Sequence, residues 1–249
     1  MRILGVRIDH VDMKKAVARA TQSMDSKKPF VIVTPNSEIV VKANNEPELM
    51  DFIEKAGMVV PDGIGLVIGS KLVKQPLAQR VTGIDLMVEL VKYASAHQKS
   101  IYLLGGKPGV AAQAAEKLKD QYPGLEVAGT HHGYFKGLHT GAKGHSEEMA
   151  VVEDIKAKKP DMIFVAFGAP KQEYFIDVYK DVLGAGLLMG VGGSLDVISG
   201  NLQRAPEIYQ KMGMEWAYRL AKEPWRIKRA GALPIFALNV LIRKDKPMK

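Results

Sequence analysis

Six turns in this chain, five of them directly after a short apolar run, carry polar or glycine-rich residues, and they hold most of the side chains that could do chemistry. Thr34-Pro35-Asn36-Ser37-Glu38 follows Phe30–Val33, and Pro61-Asp62-Gly63 follows Met58–Val60. Gly105-Gly106-Lys107-Pro108-Gly109 follows Ile101–Leu104, and Gly168-Ala169-Pro170-Lys171-Gln172-Glu173 follows Met162–Phe167. Gly192-Gly193-Ser194-Leu195-Asp196 follows Gly186–Val191, and Arg80-Val81-Thr82-Gly83-Ile84-Asp85 follows a stretch rich in Lys and Gln. A carboxylate at a strand's carboxyl edge, such as Asp62, can serve as a general base. Two glycine turns that feed helices can place phosphates on backbone N–H groups, which points to a nucleotide diphosphate. Three of these turns also have a plain structural reading: Asn36 or Ser37 as a helix N-cap, Asp62-Gly63 as an ordinary turn, Thr82 as a cap beside a surface arginine.

Other chemistries find little support. The chain has no cysteine, which excludes disulfides, thiolate metal sites and a thiol nucleophile. Four of its histidines fall between His131 and His145, but none in His-x-His or His-x-x-x-His spacing, and the adjacent His131 and His132 are expected to point apart; no metal site and no cofactor is expected. Asp-x-Asp is absent, so a sugar-nucleotide enzyme of this sequence would stabilise its leaving group with cationic side chains and backbone amides. The Gly105–Gly109 turn leaves a nicotinamide-dependent oxidoreductase as an alternative, although its spacing is not G-x-G-x-x-G.

The elements that must position these turns alternate between β-branched runs and segments of helical spacing. The six strands expected at Phe30–Thr34, Met58–Val60, Ile101–Leu104, Leu125–Gly129, Met162–Phe167 and Gly186–Val191 predict an α/β fold, a Rossmann-like, mostly parallel sheet flanked by helices. The 249 residues, 47% hydrophobic and 25% charged, suffice for one large α/β domain with an appendage. His131–His145, with four glycines, reads as a long surface loop.

Charge divides the chain. From Arg204 onward 11 Lys and Arg face four acids, which holds +7 of the net +8 in the tail. There Pro206, Pro224 and Pro234 divide the sequence into three expected helices. The expected organisation is therefore a 1–203 catalytic body and a 204–249 basic helical appendage. Arg219, Lys222, Arg226 and Arg229 share a face if the helix runs through, beside Trp216 and Trp225, a pattern suited to anionic headgroups or to phosphate. No secretory signal is evident, and the longest uncharged tail run, 13 residues, is too short to cross a bilayer. A nucleic-acid module is a further alternative for the basic tail, but base-stacking motifs are missing and no nucleic acid is expected. A homo-oligomer that buries the tail's apolar residues competes with the membrane.

Taken in order, T-P-N-S-E at 34–38, P-D-G at 61–63, R-V-T-G-I-D at 80–85, G-G at 105–106, H-G-Y-F at 132–135, F-G-A-P-K-Q-E at 167–173 and G-V-G-G-S-L-D at 190–196 resemble the WecG/TagA/CpsF glycosyltransferases. The tail motifs R-A-P at 204–206, E-W at 215–216, Y-R-L at 218–220 and E-P-W-R at 223–226 extend the resemblance over nearly the whole chain. It looks closest to the TagA type, which implies inverting, metal-independent transfer of N-acetylmannosamine from its UDP donor to the 4-hydroxyl of N-acetylglucosamine on undecaprenyl diphosphate. That reaction serves wall teichoic acid linkage-unit synthesis, and the resemblance places it at the cytoplasmic face of the membrane, with the enzyme held peripherally. Related enzymes use UDP-N-acetylmannosaminuronic acid or UDP-glucose. The resemblance implies Asp62 as general base, Thr34 and Asn36 at the donor sugar, and Arg80 and Gln172 near sugar and diphosphate. It implies Tyr134 and Asp196 at the nucleoside, and Arg219, Arg226 and Arg229 closing over the departing UDP, while Gly105, Gly106, Gly192 and Gly193 belong to the two phosphate-friendly turns read from the sequence. The 136–146 loop looks longer than the family expectation.

Overall fold

The computed structural model describes residues 1–24, 26, 28–222 and 231–248, without the Arg219 side chain. Arg226 and Arg229 therefore lie outside the described residues. All six expected strands form: β3 (Phe30–Val33), β4 (Met58–Val59), β5 (Ser100–Gly105), β6 (Glu126–His131), β7 (Met162–Ala166) and β8 (Leu187–Gly190). They make a single sheet in the order β4-β3-β8-β7-β5-β6, with every pairing parallel. The interior strands β5, β7 and β8 are buried at every position, whereas the edge strand β6 is not. That contrast explains why the interior strands read as unbroken apolar runs.

Side chains alternate between two cores, as the period of a strand requires. Val31, Val33, Tyr102, Leu104, Ile163 and Val165 face one layer, with helices α2 (Ser37–Ala43), α3 (Pro47–Lys55), α7 (Ser146–Lys158) and α8 (Lys171–Tyr179). Ile32, Ile101, Leu103, Met162, Phe164 and Met189 face the other, with α1 (Met13–Ser23), α5 (Gly83–Ala96), α6 (Val110–Gln121) and the short α9 (Ser194–Ile198). The connection from β4 to α5 runs through α4 (Ile64–Leu72). An N-terminal hairpin, β1 (Arg2–Ile3) with β2 (Val6–Arg7), was not expected. Its strands are two residues each, too short to show a period. Leu4 and Gly5 turn it with φ of 49° and 80°.

The tail forms α10 (Glu207–Lys211), α11 (Glu215–Lys222) and α12 (Ala232–Arg243). The expected division at Pro234 is corrected: Pro234 is the third residue of α12, inside the first turn, where its missing N–H has no intrahelical partner to lose. The helix packs on α2 and α4 and sends Phe236 and Val240 into the core. Gly65 and Gly69, four apart on α4, make room for it. A Cβ at Gly69 would come within 3.2 Å of the Phe236 ring, and one at Gly65 would strike the Ser37 hydroxyl. Beyond α12 the carbonyls of Lys244 and Asp245 accept hydrogen bonds from Leu4 and Gly5, at 3.0 and 2.7 Å.

The loop after β6 also differs from expectation. It is anchored, with Phe135 and His139 buried and His139 stacked on Phe167 at 4.3 Å. The fully buried Glu148 carboxylate accepts from the backbone N–H groups of Leu138 and Gly144, at 2.6 and 2.7 Å. His131 and His132 do not point apart; their rings lie 4.5 Å from each other. The polar, glycine-rich composition concealed two aromatic anchors four residues apart.

Phe236 is 3% exposed, so Phe236→Ala is expected to cost about 3–5 kcal/mol of stability, read as a lowered urea midpoint. A midpoint unchanged from wild type would mean that α12 does not depend on this contact.

Candidate active site

A cleft of about 330 Å³ opens at the carboxyl ends of β3, β4, β7 and β8. Ligands bind at that edge of an open α/β sheet because the turns and helix starts gather there. Of the residues singled out in the sequence, Thr34, Asn36, Asp62, Arg80, Gln172, Gly192 and Gly193 line this one space. First-turn residues of five helices line it too: Ser37 of α2, Ile64 of α4, Gly83 of α5, Gln172 of α8 and Ser194 of α9. Helix N-termini present unpaired N–H groups and partial positive charge, so the cleft favours an anion although few of its side chains are cationic.

The polar residues are held by backbone. Asn36 caps α2, its side chain accepting from Ile39 N–H at 3.0 Å, so the structural reading of this turn holds while the residue still faces the cleft. Thr82 caps α5 through Asp85 N–H. The Asp62 carboxylate accepts from Gly83 N–H at 3.0 Å, and its own N–H donates to Pro35 C=O at 3.2 Å. These two bonds tie the turns after β3 and β4 to the start of α5 and leave Asp62 half-buried at the cleft wall.

Gln172 staples the floor. Its Oε1 accepts from Gly168 N–H at 3.2 Å and from Gly192 N–H at 3.0 Å, joining the turns after β7 and β8. Its Nε2 donates to Glu173 Oε1 at 2.9 Å, while Glu173 Oε2 has no partner. Both residues are buried. Gly190 permits the close approach, since a Cβ there would lie 2.4 Å from Gln172 Nε2.

The tail supplies a roof that the spacing of motifs could not reveal. Gly213, Glu215, Trp216, Leu220 and Leu233 all line the cleft. Arg80 pairs with Glu215 at 2.8 Å, and Arg204 bridges Asp85, at 2.7 Å, and Glu215, at 3.5 Å. The E-W and R-A-P motifs were the only sequence signal for these contacts. Gly105, Gly106, Tyr134 and Asp196 are not among the lining residues. Gly105 presses on the Ala166 backbone, Gly106 C=O accepts from Gly133 N–H at 2.8 Å, and Tyr134 is 66% exposed. In the strand order the first three lie at or just after the ends of β5 and β6, beyond β7 and on the side of the sheet away from β3 and β4. Asp196 is half-buried two residues into α9, its C=O accepting from Leu202 N–H. Among the described residues no group of three or more His, Asp or Glu is placed to hold a metal ion.

Burial pushes the Glu173 carboxyl up to about 7 from its ordinary 4.5. Between those values the folded protein keeps a proton that the unfolded chain has released, so this group's contribution to stability falls as pH rises from about 4.5 to 7 and then levels. Glu173→Gln is expected to flatten that part of the profile, measured as urea midpoints at pH 5, 6, 7 and 8. A parallel decline in the variant would assign the slope to another group.

Over residues 1–249 the chain matches the Glycosyl transferase WecG/TagA/CpsF family. It is 38% identical over 252 residues to an N-acetylglucosaminyldiphosphoundecaprenol N-acetyl-beta-D-mannosaminyltransferase of Staphylococcus aureus strain MW2, covering 99% of this chain and 94% of the relative. A protein of the same name from Bacillus spizizenii is 37% identical over 221 residues, covering 89% of this chain and 82% of the relative. These matches displace the oxidoreductase reading of the Gly105–Gly109 turn. A parallel α/β sheet, a cleft ringed by helix N-termini and a match along the whole length agree: the chain belongs to the WecG/TagA/CpsF family of glycosyltransferases.

Proposed function

We propose that this glycosyltransferase moves N-acetylmannosamine from UDP-N-acetylmannosamine to the 4-hydroxyl of N-acetylglucosamine carried on undecaprenyl diphosphate, with inversion and without a metal ion. The observation that carries the reading is Asp62, a carboxylate held by Gly83 N–H at the wall of a cleft ringed by helix N-termini. In this mechanism the Asp62 carboxylate takes the proton from the acceptor hydroxyl as that oxygen bonds to the anomeric carbon. The bond from that carbon to the diphosphate breaks, and the electron pair leaves with UDP. Backbone N–H groups at the starts of α2, α8 and α9, with Arg80, stabilise the charge that develops. Thr34 and Asn36 contact the donor sugar, and Gln172 acts by holding the Gly168 and Gly192 turns against it. The tail arginines Arg219, Arg226 and Arg229 complete neutralisation. In this reading the bound nucleotide extends past the cleft toward β5 and β6, with Tyr134 and Asp196 at its nucleoside and Gly105 and Gly106 in a turn that faces its phosphates. The names of the relatives support this donor sugar and acceptor.

The proposed division of labour assigns 1–203 to donor chemistry and 204–249 to closure and membrane contact at the cytoplasmic face. No described helix is long and apolar enough to cross a membrane. On α12, however, Ile235, Leu238, Leu241 and Ile242 are exposed, and Arg243, Lys244 and Lys246 follow them. Exposed apolar residues beside lysine and arginine suit the surface of an anionic bilayer.

The test is UDP release by the purified chain with EDTA present, given UDP-N-acetylmannosamine and a short-chain lipid-linked N-acetylglucosamine diphosphate. Acceptor-dependent release is expected, and UDP-glucose in place of the donor is expected to give none. Asp62→Asn is expected to retain UDP binding and lose turnover by about 10² or more. An active Asn variant would remove Asp62 as the base.

A further inference from the structure

The described side chains of the cleft are poorly balanced for a diphosphate. Glu38, Asp62 and Glu215 contribute carboxylates, and among the described lining residues Arg80 is the one cation. That cation is already engaged. Arg80 and Glu215 pair at 2.8 Å with side chains only 16% and 14% exposed, and Arg80 also donates to Gln210 C=O at 3.3 Å. Glu215 has a second cation in Arg204, at 3.5 Å, which is itself fixed to Asp85 at 2.7 Å. Two arginines and two carboxylates thus form a neutral chain from the start of α5, through Glu215 on α11, to Arg80 in the cleft. Carboxylate and phosphate engage the same guanidinium N–H groups, so Glu215 occupies donors that a diphosphate could take.

We propose that Glu215 is a positioning residue for donor binding: it holds Arg80 in the ligand-free protein and yields it to the incoming diphosphate, passing its own charge to Arg204. The exchange couples nucleotide binding to α11, because the helix is tied to the cleft through Arg80 before the nucleotide arrives and through Arg204 afterward. Arg204 is the hinge of this exchange, since it keeps Glu215 paired when Arg80 leaves. The inference rests on the UDP-sugar reading above.

Calorimetric titration of the full chain with UDP and, separately, with uridine tests it, since uridine lacks the anion that competes with Glu215. Glu215→Gln is expected to tighten UDP about fivefold or more and to leave uridine affinity unchanged. Arg204→Gln leaves Glu215 to Arg80 alone and is expected to weaken UDP by a similar factor, again without effect on uridine. A merely structural role for either residue would weaken both ligands together. UDP binding by the wild type with no tightening in a folded Glu215→Gln, or with no weakening in Arg204→Gln, overturns the role of Glu215 and leaves the nucleotide reading intact. A wild type that binds no UDP overturns both.

Discussion

Because all six strands run in one direction, each turn from strand to helix emerges at the same edge of the sheet, and the catalytic proposal depends on that alignment. The starts of α2, α4, α5, α8 and α9 meet around one cleft, so much of its attraction for an anion resides in backbone amides. Amides cost no side-chain ordering when a ligand binds and cannot be titrated away. Lysine is absent from the described lining, and the body of the protein is nearly neutral despite its proposed anionic donor. The polar side chains that line the cleft are held by the same framework, as the Asp62 carboxylate is by Gly83 N–H and the Gln172 amide by two glycine N–H groups.

Two unlike attachments bring the tail over this cleft. One is apolar: Phe236 and Val240 of α12 sit in the core, with Phe236 against the two glycines of α4. It is non-directional and survives changes of salt and pH. The other is ionic, from Asp85 through Arg204 and Glu215 to Arg80, and it is the one proposed to exchange a partner with the donor's diphosphate. A permanent anchor at one end and an exchangeable one over the cleft let the tail stay attached while its contacts at the site change. The exposed apolar residues of α12 lie on the anchored part, so a surface bound there would remain connected to the chemistry.

Much of the frame was legible in the sequence for a physical reason. A strand buried on both faces must be apolar throughout, so β5, β7 and β8 declare themselves as runs, and the turns that end them mark the sheet's carboxyl edge. Asp62 and Gln172 could be placed at that edge from adjacency alone. The β1–β2 hairpin could not, with only two residues in each strand, and neither could the position of Pro234, which is as compatible with a first helical turn as with a break.

Local pattern determined the α/β class, the six strands and the residue types at each turn, because burial on each face of an element is written in its own period. Which turns share a cleft was decided only by tertiary structure. The strand order set Gly105, Gly106 and Tyr134 outside the walls lined by Thr34, Asp62 and Gln172, though all follow strands in the same manner. Folding likewise joined Arg80 to Glu215 and Asp85 to Arg204, partners more than a hundred residues apart. A sequence period reports how an element is buried and carries no information about which element buries it; that choice is made by long-range packing of the whole sheet.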